Sequence, residues 1–210
     1  MLDNLRFGQT WRPLTGAAPP DGLFAAIDRA YGTPDRAYHN AAHIVDCLTQ
    51  LDTCRHLAER ADEIEMALWF HDAIYDPHAA DNEERSAAWA SSALAEGGAG
   101  EGAVTRVAAL IMATKHVHAP RTMDESLLID IDLSILGREP DVFDVYDENI
   151  RREYAWVLEE TYRLERGKIL RRFLARRRLF GTDFFCERYE TQARRNLERA
   201  LERLDVSDAG

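Results

Sequence analysis

Cysteine is scarce in this chain of 210 residues. Its three cysteines, Cys47, Cys54 and Cys186, are an odd number and too few for a disulfide framework, which points to a reducing compartment, the cytoplasm. Positive charge is also in deficit. The 26 Lys and Arg against 37 Asp and Glu give a formal net charge of -11, a field that repels long nucleic acid. A small phosphorylated ligand remains compatible, because a bound metal or a local cation reverses the field at one site. No apolar run approaches the roughly 18 residues of a membrane span, so no membrane partner is expected. The opening stretch MLDNLRFGQTWRPLTG lacks the basic and then apolar order of an export signal. Period-two alternation of apolar and polar residues is missing, as is any solenoid-type repeat.

Helical periodicity is abundant, and it predicts an all-α fold in a single domain over 1–210. DGLFAAIDRAYG, with Leu23, Phe24, Ile27 and Tyr31 at helical spacing, predicts a short amphipathic helix ending at Gly32. AAHIVDCLTQLDTCRHLAER places Ile44, Leu48 and Leu51 on one stripe, and ADEIEMALWFHDAIYD places Ile64, Leu68, His71 and Tyr75 on another. NEERSAAWASSALAEGG and AVTRVAALIMATKH follow as helices separated by a glycine-rich break. DESLLIDIDLSILG reads as a helix opened by Asp124 and closed by Gly137. From Pro140 to about Leu204 the pattern is charged helix, with interruptions expected at Gly167 and Gly181 and two or three antiparallel helices as the packing. Within it the basic run RGKILRRFLARRR is read as a wet face whose apolar side is Ile169, Leu170, Phe173 and Leu174.

The segment LWFHDAIYD sets the functional question. His71 and Asp72 stand side by side in an apolar run near the end of a core helix, where a carboxylate is costly to desolvate unless it is paired or bound to a metal. His43 and Asp132 fall on two other predicted helices beside core-facing positions. Asp132 shares a helical face with Leu128, Ile131 and Ile135 and is expected to be the better buried acid than Asp130. Two imidazoles and two carboxylates converging from His43, His71, Asp72 and Asp132 make a nitrogen and oxygen shell suited to a divalent transition metal.

The order His43, then His71-Asp72, then Asp132 resembles the HD-domain superfamily of metal-dependent phosphohydrolases. YGTPDRAYHNAAHI, WFHDAIYD, DNEERSA, DIDLSILG and ARRNLERAL together resemble a bacterial branch of predicted HD phosphohydrolases, over most of the chain. The resemblance implies that His116 or His118, in TKHVHAP, brings a second ion, and that Arg36, Tyr38 and His39 line the site entrance. Arg36 has the planar fork that clamps a phosphate. Asn82, Glu83 and Ser86 open a helix whose backbone amides favour an anion, and Asp81 or Asn82 is the expected cap. Several nucleotide-cleaving HD enzymes carry an acid three residues after the dyad's Asp, where this chain has Tyr75, so Glu83 joins Asp72 as a catalytic candidate.

The expected activity is hydrolysis of a phosphoester of a small metabolite or nucleotide, assisted by one or two divalent ions drawn from Mn, Fe, Co, Ni, Zn and Mg. A homo-oligomer is compatible with the sequence. Two alternatives belong to other classes: an HD-type diiron oxygenase resembling myo-inositol oxygenase, and a non-catalytic binding module that keeps its metal for stability.

Overall fold

The computed structural model describes residues 2–206, and among them it contains helices and no strand. The fold is all-α, as the periodicity predicts. It divides into two compact units, Met1–Ile131 and Asp132–Gly210.

The first unit holds α1 (Asn4–Thr15), α2 (Leu23–Tyr31), α3 (Ala41–Cys54), α4 (Ala61–Phe70), α5 (Asn82–Glu96), α6 (Glu101–Ala113) and most of α7 (Met123–Leu133). α4 is its centre and packs against α1, α3, α5 and α6. Met66, Ala67, Leu68, Trp69 and Phe70 are all fully buried, so the second half of this helix is apolar on every side, as an interior helix is, while Glu63 and Glu65 in its first half are buried against Arg106 and against Arg6 and Arg55. Phe7 and Phe24 meet Trp69, with ring centroids 5.5 and 6.4 Å away, while Trp89 meets Phe70 edge-on at 5.6 Å. Burying each such side chain contributes about 1.5 to 3 kcal/mol.

Local chemistry sets the helix ends. Asn40 Oδ1 accepts the Ala42 N–H at 2.8 Å and starts α3, and Asp3 does the same for α1 through the N–H groups of Leu5 and Arg6. The helix expected to open at Asp124 is capped instead by Thr122, whose Oγ1 accepts from the Glu125 N–H at 3.1 Å. Asp124 serves a different helix: its carboxylate accepts the N–H groups of Glu59 and Arg60 at 2.8 and 3.1 Å, just ahead of α4. Such donors have no partner within their own helix. The stretch expected to run as helix over 41–60 breaks after Cys54 into a 3-10 turn, Arg55–Leu57. The stretch over 61–76 stops at Phe70.

The second unit consists of a 3-10 turn (Ser134–Gly137), α8 (Pro140–Glu153), α9 (Glu159–Leu174) and α10 (Asp183–Val206). α10 packs against the other three. Gly137 is needed where the turn crosses α10, because a Cβ there would lie 2.4 Å from Tyr189 Cβ and 2.8 Å from the Tyr189 carbonyl oxygen. Gly181 lies in the break before α10, whereas Gly167 sits inside α9 and does not interrupt it. The basic run is not uniformly wet. Arg166 is buried against Asp147, 2.8 Å away; burial opposes its charge, but Tyr146 and Asp147 outweigh it and raise its pKa. Ile169, expected on the apolar side, is exposed.

Candidate metal centre

The cluster begins where α4 ends. The His71 N–H closes the last helical bond, to Ala67 O at 2.8 Å. Beyond it, side chains from elsewhere take over the backbone's hydrogen bonds. Leu68 O receives His71 Nδ1 at 2.9 Å. Trp69 O accepts from the Tyr31 hydroxyl at 3.2 Å, and the Tyr31 hydroxyl oxygen in turn accepts the Asp72 N–H at 3.2 Å. Arg36 Nη1 donates to Asp72 O at 2.6 Å and to His39 O at 3.1 Å, while its Nη2 donates to Ala73 O at 3.1 Å. Ser86 Oγ exchanges bonds with the N–H and C=O of Ile74, at 3.0 and 3.3 Å. Asn82, one helical turn earlier on α5, does the same for Asp76 at 3.1 and 2.9 Å. The irregular segment 72–76 is therefore fixed by four side chains that satisfy backbone groups no helix or sheet serves.

That framework aims the dyad. A carbonyl only accepts, so the contact with Leu68 O makes His71 Nδ1 a donor and turns Nε2 to the cluster, with its lone pair exposed there whenever the ring is neutral. There His71 Nε2 lies 3.1 Å from His43 Nε2. Asp72 Oδ2 is 3.0 Å from the first nitrogen and 3.5 Å from the second. Burial works against charge on Asp72, but the imidazoles of His71 and His39, with hydrogen bonds from His43 and His71, hold its carboxyl well below the usual carboxylate range. Tyr31 moves the opposite way: burial, and then the Asp72 charge, raise its pKa well above that of a free phenol, so its hydroxyl stays protonated and donates.

Donor atoms of His43, Cys47, His71 and Asp132 all lie within 4.8 Å of one another, a group that could hold a metal ion. His43 and His71 are 5% and 1% exposed and Cys47 is 2% exposed. Asp132 comes from the last turn of α7 and is half-buried. It is not the better buried acid of its helix. Asp130 is fully buried, because Leu127, Leu128, Ile129, Ile131 and Leu133 are all buried too and a helix covered on nearly every side has no single inward face.

The other expected site residues stand outside that four-residue group. Tyr38 and His39 flank the cluster: Tyr38 lies 4.8 Å from the His43 ring, and His39 stacks on Tyr75 at 4.2 Å. Arg36 is buried at 8% exposure, its guanidinium turned to the carbonyls of His39, Asp72 and Ala73 and set over Tyr31 and Tyr75 at 5.2 and 5.6 Å. Asn82 and Ser86 face the 74–76 backbone, as described, and neither Asn82 nor Asp81 caps α5 with its side chain. Glu83 stands 4.0 Å from Lys115 Nζ, and Lys115 also pairs with Glu84. Burial is partial for His116, which has a positive φ of 55°, and absent for His118; neither belongs to the four-residue group.

Two residues of the site escaped the sequence reading. Cys47 lies four residues after His43, hence on the same helix face, and that spacing was legible. Tyr31 carries no such signal, since the carbonyl and N–H it serves are backbone groups. No protein-family model, curated protein or solved structure matches the chain.

Proposed function

We propose that the chain is a metal-dependent phosphohydrolase of the HD type, acting on a phosphoester of a small metabolite or nucleotide in the cytoplasm. The observation that carries this reading is the approach of His43 Nε2 and His71 Nε2 to 3.1 Å, with one Asp72 oxygen at 3.0 and 3.5 Å from them. Neutral imidazoles gain little from two facing nitrogens in a dry site, and a shared divalent cation resolves the arrangement. His43, His71, Asp72 and Asp132 are the residues that would hold it. When bound, such an ion supplies Lewis acidity toward a phosphoryl oxygen and acidifies a water.

The chain's own residues prepare the site for that chemistry. Leu68 O fixes the His71 tautomer, and Tyr31 and Arg36 fix the dyad's backbone. Tyr38, His39 and Tyr75 supply flat faces beside the cluster, where a base or sugar ring can rest. Arg36, Asn82 and Ser86 act by positioning the dyad segment. Glu83 is offered as a proton carrier on the strength of the resemblance alone.

Cys47 favours a second reading. Two nitrogens, one sulfur and one carboxylate oxygen make four protein donors, enough to close the shell of a tetrahedral ion with no position left for water or substrate, which suits a metal-stabilised binding module. Metal analysis of the purified chain, followed by a phosphatase screen over nucleotides and sugar phosphates, separates the two. Metal with phosphate release, both lost in Asp72→Ala, is the expected result. Metal without release from any substrate, together with unfolding on chelation, would favour the module, and iron with oxygen consumption would favour the oxygenase.

A further inference from the structure

Hydrolysis makes no use of a thiol, yet Cys47 Sγ lies 3.7 Å from both ring nitrogens of His43 and within 4.8 Å of the donors on His71 and Asp132. We infer that Cys47 is a ligand of the same ion and that its thiolate sets the ion's class: a zinc-like ion, zinc or cobalt(II), over magnesium, calcium or manganese. The inference rests on the reading that the cluster holds a metal, and it adds which metal.

Spacing supports it. With metal–nitrogen bonds of about 2.0 to 2.1 Å and a metal–sulfur bond of about 2.3 Å, a tetrahedral shell puts two nitrogens roughly 3.3 Å apart and a nitrogen and a sulfur roughly 3.5 Å apart. The imidazoles stand at 3.1 Å and the sulfur at 3.7 Å from His43 Nε2. The imidazole pair already sits at shell spacing, and the sulfur, 3.7 Å from His43 Nδ1 as well and so beside the ring rather than in line with the Nε2 lone pair, reaches the shell by rotation about its own Cα–Cβ bond, without any helix moving. His43 and Cys47 belong to one continuous helix, α3, so their relative placement is set by its pitch.

Donor chemistry supports it as well. Magnesium and calcium take six or more oxygens. The group offers two nitrogens and a sulfur, with oxygen from Asp132 and, at 3.0 and 3.5 Å from the same nitrogens, from Asp72. Thiolate is a soft donor that selects zinc-like ions, and imidazole suits them equally. On binding, the sulfur–metal bond forms as the thiol proton passes to solvent. Cys54 and Cys186 are also free thiols, but neither belongs to the group.

The test loads the metal-free full-length chain with cobalt(II) and records its absorption spectrum. The expected result is visible bands of a four- or five-coordinate ion together with a near-ultraviolet thiolate-to-cobalt charge-transfer band. That band should vanish in Cys47→Ser, while the visible bands remain, and should persist in Cys54→Ser and Cys186→Ser. Zinc should also lose at least tenfold of its advantage over manganese in Cys47→Ser. Visible bands without a charge-transfer band in the wild-type chain would overturn the role of Cys47 and leave the metal reading standing. Failure to bind cobalt at all would overturn both. The wild-type spectrum decides alone, so a Cys47→Ser chain that fails to fold does not spoil the test.

Discussion

Replacing Tyr31 with Phe tests the framework behind the dyad. The substitution removes one oxygen and keeps the ring, which is 1% exposed. Two backbone groups lose their partner: Trp69 O, which accepts the hydroxyl at 3.2 Å, and the Asp72 N–H, which donates to it at 3.2 Å. The next backbone donor does not replace it, because the Ala73 N–H already goes to Phe70 O at 2.9 Å. A buried group left unsatisfied costs about 1 to 3 kcal/mol, and part of that is recovered by local relaxation, so a loss of about 2 kcal/mol is expected. Urea unfolding followed by circular dichroism should show a lower midpoint with an unchanged slope. The segment also aims His71 and Asp72, so metal affinity should fall by about 10- to 100-fold, the scale of outer-shell changes at metal sites. A Tyr31→Phe chain that unfolds at the wild-type midpoint and binds metal as tightly would refute the claim that this hydroxyl holds the dyad.

Three further outcomes follow from named contacts. Arg36→Lys should weaken metal binding by roughly tenfold or more in calorimetric titration, since an ammonium cannot reproduce a planar fork spanning the carbonyls of His39, Asp72 and Ala73; unchanged affinity would assign those bonds no role. Gly137→Ala should destabilise the chain by about 2 kcal/mol, because the added Cβ meets the Tyr189 main chain at 2.8 and 2.9 Å, and a midpoint unchanged in urea would contradict that packing. Acidification should release metal before it unfolds the helices. Ligand imidazoles must be neutral and the ion competes with protons for them, so metal leaves as pH falls below about 6, under the free imidazole value. Asp144, whose burial is outweighed by Arg203 and Arg199, has its pKa lowered on folding; its contribution to stability is present above the unfolded carboxyl pKa of about 3.9 and lost as pH falls through the lower folded value. Metal content and circular dichroism measured on one pH series should therefore separate, and simultaneous loss near neutrality would count against this order.

The sequence made the helical class and the position of the dyad legible, and physical reasons mark where it stopped. The apolar run before His71 reads as an interior helix, and α4 is one. Its end at Phe70 is invisible locally, with no glycine or proline to mark it, because the bonds that terminate it come from Tyr31, 41 positions away from Asp72, and from Arg36 and Ser86. The same cause hid the work of Arg36, Asn82 and Ser86: polar side chains near a charged dyad suggest ligand contacts, whereas these three reach backbone groups that no sequence pattern displays. Helical phase misjudged Asp130 and Asp132 because it ranks burial only on a helix with one wet side. Cys47 is readable at four residues from His43, whereas the number of cysteines speaks only to disulfides and not to ligation.

Anomalous diffraction from crystals of the zinc-loaded chain tests the central claim most directly. The account predicts one strong peak within bonding distance of both His43 Nε2 and His71 Nε2, with a carboxylate oxygen of Asp72 or Asp132 completing its shell, and no such peak in His71→Ala. Zinc seated elsewhere on the chain, or crystals in which the two nitrogens stay together with no peak between them, would contradict it.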